Sequence, residues 1–311
     1  MRYRGLLGLA VATLAAVLFS PGIAGAGGKG MRPTSSDAAR TQITNKDFDP
    51  ADFPSSPRIN NRMLPLIPGT QYTLEGTSVQ GAVTASAHTV VFTVTDATKV
   101  VNGVRTLVIW DRDFQNGRLT EEENAFFAQD KSGNVWQLGE FPEEFDARGR
   151  SMGAPRTWIA GAAGAEAGIH MFAKPEVGGA SYVQGFAPAI GFLNEARIVK
   201  EDQNLCGPLK CYKDVLVIDE FSHLVSPLEP PKGHVFKYHA PGVGVVRTVP
   251  VGEPEAEVIQ LTKARHLNAQ DLSAARSAAL KLDKRAYVIA KDVYSHTEPA
   301  QPPGPEEEVA R

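Results

Sequence analysis

The chain has 311 residues, of which 42% are hydrophobic, 22% charged and 8% aromatic, the composition of a globular protein long enough to bury a sizeable core. A formal charge of -3 excludes the strongly basic footprint of a nucleic-acid binder, and no run approaches the roughly 20 apolar residues of a membrane-spanning helix. Two cysteines are too few for a disulfide-stapled miniprotein or a four-cysteine zinc site.

The N-terminus places Met1-Arg-Tyr-Arg4 before an apolar run from Gly5 to Phe19, followed by Ala24-Gly-Ala26. A basic start, a short apolar stretch and an A-x-A site describe an export signal cleaved after Ala26. No cysteine follows the apolar run, so the lipoprotein route is not expected. The mature chain is expected outside the cytoplasmic membrane, periplasmic or extracellular, with no transmembrane anchor. Residues 27–60 are rich in Gly, Pro, Ser, Asn and Asp and read as a flexible leader and extended lead-in.

Strand signals begin at Pro68-Gly69, ahead of alternating Tyr72 and Leu74. His88 to Asp96 alternates around Val90, Phe92 and Val94, and Val104 to Trp110 is a second β-branched run. Asn102-Gly103 between them accepts the positive φ of a type I′ turn. A second hairpin pairs Asn124–Gln129 with Asn134–Glu140. Further strands are expected at 181–186, 196–200, 212–220, 235–238, 245–251 and 257–261, each bounded by turn residues. The turn-like Cys206-Gly-Pro-Leu-Lys-Cys211 can close a disulfide in an oxidising compartment, contributing roughly 2 kcal/mol by loop closure. Asn268 caps a helix with Leu272, Ala275, Ala279 and Leu282 on one face, running to about Lys284 and followed by a short strand. The Pro- and Glu-rich tail from residue 298 is expected to be disordered.

This pattern implies an all-β, mainly antiparallel fold, an open barrel or highly curved sheet, with one C-terminal α-helix. The expected divisions are a signal at 1–26, a lead-in at 27–60, a β domain at 61–267, a helix and short strand at 268–297, and a tail at 298–311.

The acidic segment Asp111-Arg-Asp-Phe-Gln-Asn-Gly-Arg-Leu-Thr-Glu-Glu-Glu123 partly matches a calcium loop. Asn116, Gly117, Leu119 and Glu123 fall in register, while Asp111 and Asp113 are displaced by one place. Asp111, Asp113, Asn116 and Glu123 are therefore candidate calcium ligands. The plain alternative is a solvated hairpin loop. The surrounding acids also permit carboxylate-based hydrolysis if two of them face a cleft. Gly149-Arg-Ser-Met-Gly153 matches the G-x-S-x-G elbow in letters but lacks its strand-to-helix setting. His223, His234 and His239 surround a Pro-rich loop and read as edge residues. Trp110, Trp136 and Trp158 are core anchors or, alternatively, linings of an apolar cavity.

Several segments carry a resemblance. Ala128-Gln-Asp-Lys-Ser-Gly-Asn-Val-Trp-Gln-Leu-Gly-Glu140, Pro68-Gly-Thr-Gln-Tyr72, Thr157-Trp-Ile-Ala-Gly161, Ser226-Pro-Leu-Glu-Pro230 and Tyr238-His-Ala-Pro-Gly-Val-Gly-Val-Val-Arg247 occur in order. Together they resemble a family of secreted bacterial proteins with no assigned activity, over roughly residues 60–250. That resemblance implies a secreted β-rich domain and transfers no catalytic residue. The Gly-rich turn into the last hairpin resembles the open barrels of periplasmic lipoprotein carriers, and the Cys206–Cys211 loop departs from the family pattern. The functional expectation is non-catalytic binding of a lipid or other apolar or amphipathic molecule within the curved sheet. A calcium-stabilised envelope protein is second and a carboxylate hydrolase third. No cofactor other than calcium is expected, and no nucleic-acid partner.

Overall fold

The computed structural model describes residues 44–80, 83–223, 233–251 and 258–304. The export segment, the Ser226–Pro230 stretch and the last seven residues lie outside these. Among the described residues, twelve strands form the ring, with four short ones of two or three residues beside it: β1 (Thr70–Gln80), β2 (Val83–Val101), β3 (Val104–Gln115), β4 (Arg118–Gln129), β5 (Val135–Phe145), β6 (Glu166–Met171), β7 (Tyr182–Ala187), β8 (Phe192–Cys206), β9 (Cys211–His223), β10 (Gly233–Ala240), β11 (Gly244–Pro250) and β12 (Val258–His266). Each pairs antiparallel with the next, and β12 returns to β1 through Leu261↔Leu74 and His266↔Thr70. The fold is an all-antiparallel up-and-down barrel, and its ring is closed, which removes both edges of the sheet.

The turns explain the register. Asn102-Gly103 takes φ 46° and 81°, and Asn116-Gly117 takes φ 50° and 76°, the positive values a two-residue hairpin requires. The second of these corrects a sequence expectation. Residues 111–123 are not a hairpin loop; β3 and β4 run straight through them to a second Asn-Gly turn. The junction of β5 and β6 is the least regular. The second edge of β5 is covered in turn by 151–153, by 158–159 and by β6. At Gly139, φ is 155° and an added Cβ would lie 2.6 Å from the Trp158 carbonyl oxygen, so the close approach of this short strand needs glycine. Strand β6 escaped the sequence reading because Glu166-Ala-Gly-Ile-His-Met171 is short and does not alternate cleanly.

Helix α1 (Ala269–Ile289) lies on the outer wall over β2, β3 and β4. Asn268 caps it, accepting the Asp271 N–H at 2.8 Å. Its buried face is Ala275, Ala279, Leu282 and Ala286. The small residues let the helix approach closely enough for Asn124 Nδ2 to donate to the Ala279 carbonyl at 2.8 Å. Cover on both sides explains why β2 is buried without a break from Phe92 to Lys99. Lys99 Nζ lies 3.0 Å from Asp283 and donates to Glu298 O at 2.7 Å, with the Tyr294 ring 4.7 Å away. Beyond α1, residues 291–294 form a short helix α2 (Lys291–Tyr294) rather than the expected strand, and Tyr294 packs on Phe126 and Phe141. The start of the tail is also ordered, against expectation. Gln301 bridges Thr98 through two backbone hydrogen bonds and Ala300 N–H donates to Asp283. These partners come from distant chain and are invisible to composition.

The lead-in is structured from residue 44. Phe48 and Phe53 pack edge-on against Trp136. Residues 59–66 then cross one end of the barrel as a plug, burying Ile59, Met63, Leu64 and Leu66. Asn61 holds the plug: its Nδ2 donates to Gly133 O and Phe172 O, and its Oδ1 accepts the N–H groups of Met63 and Leu64.

Candidate functional site

Inward-facing positions of β3, β4 and β5 bring together an unusual set. Strand pairing places Asp111 opposite Glu123 and Asp113 opposite Glu121, and Glu140 stands on the next strand. All five carboxyls are at most 3% exposed. Arg156, from the connection after β5, bonds Glu121 and reaches Glu144 at 3.3 Å. His88 Nε2 lies 3.7 Å from Asp113. Burial opposes the charge on Arg156, but Glu121 and Glu140 outweigh it, so the guanidinium is held charged more firmly than usual. One cation cannot balance five buried anions, so protons must. Burial, reinforced by Asp113, pushes Asp111 well above the usual carboxyl range, and burial with Glu140 does the same to Glu123. Burial raises Glu140 to about 8 despite Arg156. Burial lowers His88 to about 4, so its ring is neutral. Both oxygens of Glu123 and Oδ2 of Asp111 have no hydrogen-bond partner among the described protein groups.

A second polar group crosses the interior between β6 and β10. Lys237 Nζ lies 2.6 Å from Glu220, both nearly inaccessible. Gln184 donates to Glu220 at 3.2 Å, Asn194 to Gln184 at 2.8 Å and Ser222 to Asn194 at 2.8 Å. His170 and His239 are buried beside it, and burial lowers both to about 3.

The plugged end holds the space. An apolar cavity of about 50 Å³ is walled by Leu64 and Leu66 of the plug and by Tyr72, Leu74, Val90, Phe92 and Ile259, with Lys237 at its side. It adjoins a cleft of about 260 Å³ at the barrel mouth, formed by the ends of β1 and β12, the β10–β11 turn and the tip of the β8–β9 hairpin. Tyr72 and Val243 line both. The Cys206–Cys211 disulfide closes that hairpin where the two residues pair in register. Tyr212, Lys210, Arg265 and His266 line the mouth.

The expected site residues are distributed as follows. Asp111, Asp113 and Glu123 meet inside the barrel, but Asn116 does not join them. It sits at the turn tip, where its Oδ1 accepts the Ala87 N–H. Among the described residues no three His, Cys, Asp or Glu side chains are arranged to hold a metal ion. The carboxyls line neither space at the plugged end. Ser151 is exposed, accepts the Gly153 N–H and leads into a turn instead of a helix. His234 joins Asp219 at the rim, and the side chain of His223 lies outside the described set. Trp110 bonds Glu122 under a stacked Arg112, Trp136 bonds Asp130, and Trp158 packs on Phe192. None of the three lines the cavity or the mouth. Sequence reading missed Tyr72 and Lys210 as site residues; only their placement at one barrel end distinguishes them.

No protein-family model and no curated protein matches the chain. Among solved structures it is similar to a Bacteroides fragilis protein provisionally described as exported and of YmcC-like fold. The TM-score is 0.36 and the identity 13%, over 66% of this chain and 99% of that one. It is also similar to a Parabacteroides distasonis protein provisionally described as a lipoprotein, with TM-score 0.36, 9% identity and the same coverage.

Proposed function

We propose that this protein is an extracytoplasmic, non-catalytic barrel that binds an apolar or amphipathic molecule at its plugged end. The observation that carries the reading is the junction of an apolar cavity with an open mouth through Tyr72 and Val243, the usual arrangement of a small-molecule site. The export pattern and the disulfide support the compartment. A 50 Å³ cavity is the size of one or two waters, so a longer tail enters as Leu64 and Leu66 move aside. The neutral dye N-phenyl-1-naphthylamine tests this. Saturable one-to-one fluorescence that Val90→Trp abolishes while the fold is retained is the expected result. Absence of saturable binding, with no amphiphile released from the purified protein by extraction, overturns it.

A further inference from the structure

The β8–β9 hairpin outruns its neighbours in the ring. Pairing of β8 with β7 ends at Ala196, and pairing of β9 with β10 begins at Leu216. Residues 203–212 therefore pair only with each other, through Leu205↔Tyr212 and Cys206↔Cys211. The neck of this ribbon is irregular. Asp202 and Asp214, both at φ 53°, stand at shifts of register, one on each strand, and such bulges bend a ribbon. Bent there, the tip crosses the mouth. Leu209, Lys210 and Tyr212 line the cleft together with Leu261 of β12 and Tyr72 of β1, strands three and four places further round the ring.

Tyr212 seats the tip. Lys210, Cys211 and Lys213 around it are exposed, yet Tyr212 is only 6% exposed and belongs to the apolar cluster of Leu74, Val90, Ile259 and Leu261. Leu74, Val90 and Ile259 also wall the cavity. Little else holds the tip down. Among the described residues no hydrogen bond joins 203–212 to a group outside the hairpin. Asp214 meets Arg62 of the plug at 3.6 Å, with both side chains largely exposed, a pairing of little energy. The Tyr212 hydroxyl is buried without a hydrogen-bond partner among the described groups, and an unpaired buried hydroxyl disfavours the seated position.

We propose that residues 203–212 are a lid over the cavity, seated by the Tyr212 ring and hinged at the bulges of Asp202 and Asp214. Its lifting admits the apolar molecule beneath it. The inference rests on the binding reading above and adds how access is controlled. A segment with few ties to the body of a fold opens at lower cost than the whole, and short irregular stretches at its base absorb the movement.

The test is stopped-flow association of N-phenyl-1-naphthylamine with the full mature chain and two variants of opposite expectation. Tyr212→Ala removes the seated ring and is expected to speed association about tenfold. Tyr212→Phe keeps the ring, removes the unpaired hydroxyl and is expected to slow association about threefold. Loss of fold cannot produce shifts of opposite sign. Unchanged rates in both variants, or shifts in the same direction, overturn the lid while leaving the binding reading standing. Absence of saturable dye binding by the unaltered protein overturns the binding reading itself.

Discussion

Glu123 lies one diagonal step from Glu140 on the inner wall of the barrel: Glu123 pairs with Pro142 and Ala125 with Glu140, and both carboxyls are 1% exposed. Cross-strand diagonal neighbours are within side-chain reach, so the two cannot both ionise without a large electrostatic cost.

Their titration sets the alkaline limb of stability. Glu140 is raised to about 8 in the fold, by burial first, against an ordinary unfolded value. Between the unfolded and folded values the native state holds a proton that the unfolded chain has released, so stability falls as pH rises. Tm is expected to drop between about pH 6 and pH 9, and Glu140→Gln, which keeps shape without titrating, is expected to flatten that drop. Thermal melts across pH check it; a Tm that climbs over this range contradicts it.

The acid limb has the opposite cause. His170 and His239 are lowered to about 3 and His88 to about 4 by burial. Their neutral form stabilises the fold above the ordinary histidine value, and this is lost as pH falls toward the folded values. Stability is therefore greatest near about pH 6. His170, whose ring meets Phe127 edge-on at 5.2 Å, is the cleanest probe: His170→Leu is expected to widen the acid limb in urea titrations at several pH values.

Lys99 and Asp283 tie helix α1 to the barrel inside a fully buried pair. Removing one partner strands a charge, so Lys99→Met is expected to cost about 3–5 kcal/mol, whereas Lys99→Met with Asp283→Leu is expected to recover much of it. Denaturant midpoints of the two variants decide; equal losses in both would show that packing of the helix dominates.

The plug controls capacity. Leu64 is 4% exposed and walls the apolar cavity. Leu64→Ala is expected to destabilise by about 2–5 kcal/mol and to shift the preferred tail length of a displacing alkyl carboxylate upward by several carbons. Competition with a homologous series from octanoate to hexadecanoate measures this. An unchanged optimum would place the tail elsewhere.

Opening the disulfide by Cys206→Ser with Cys211→Ser is expected to cost about 2 kcal/mol or less, because the two residues are already paired in register. Urea midpoints of the double-serine variant and of the unaltered protein check it.

Much of the wall was legible in the residues. Alternation at His88–Asp96 and the Asn102-Gly103 turn identify a hairpin because strand period and positive φ are local properties. Asn268 and the apolar face from Leu272 identify the helix for the same reason. The Cys206–Cys211 pair was legible from its short spacing. Ring closure was not, because the pairing of β12 with β1 joins residues some two hundred positions apart and leaves no periodic trace. Nor was the fate of the acids. Asp111, Asp113, Glu121 and Glu123 read as a solvated loop because charge usually marks exposure, yet a second Asn-Gly turn carries them along strands whose inner face is sealed. The binding end likewise depended on tertiary structure: Leu64, Tyr72, Lys210 and Val243 come from four separate segments, and only barrel curvature brings them to one end.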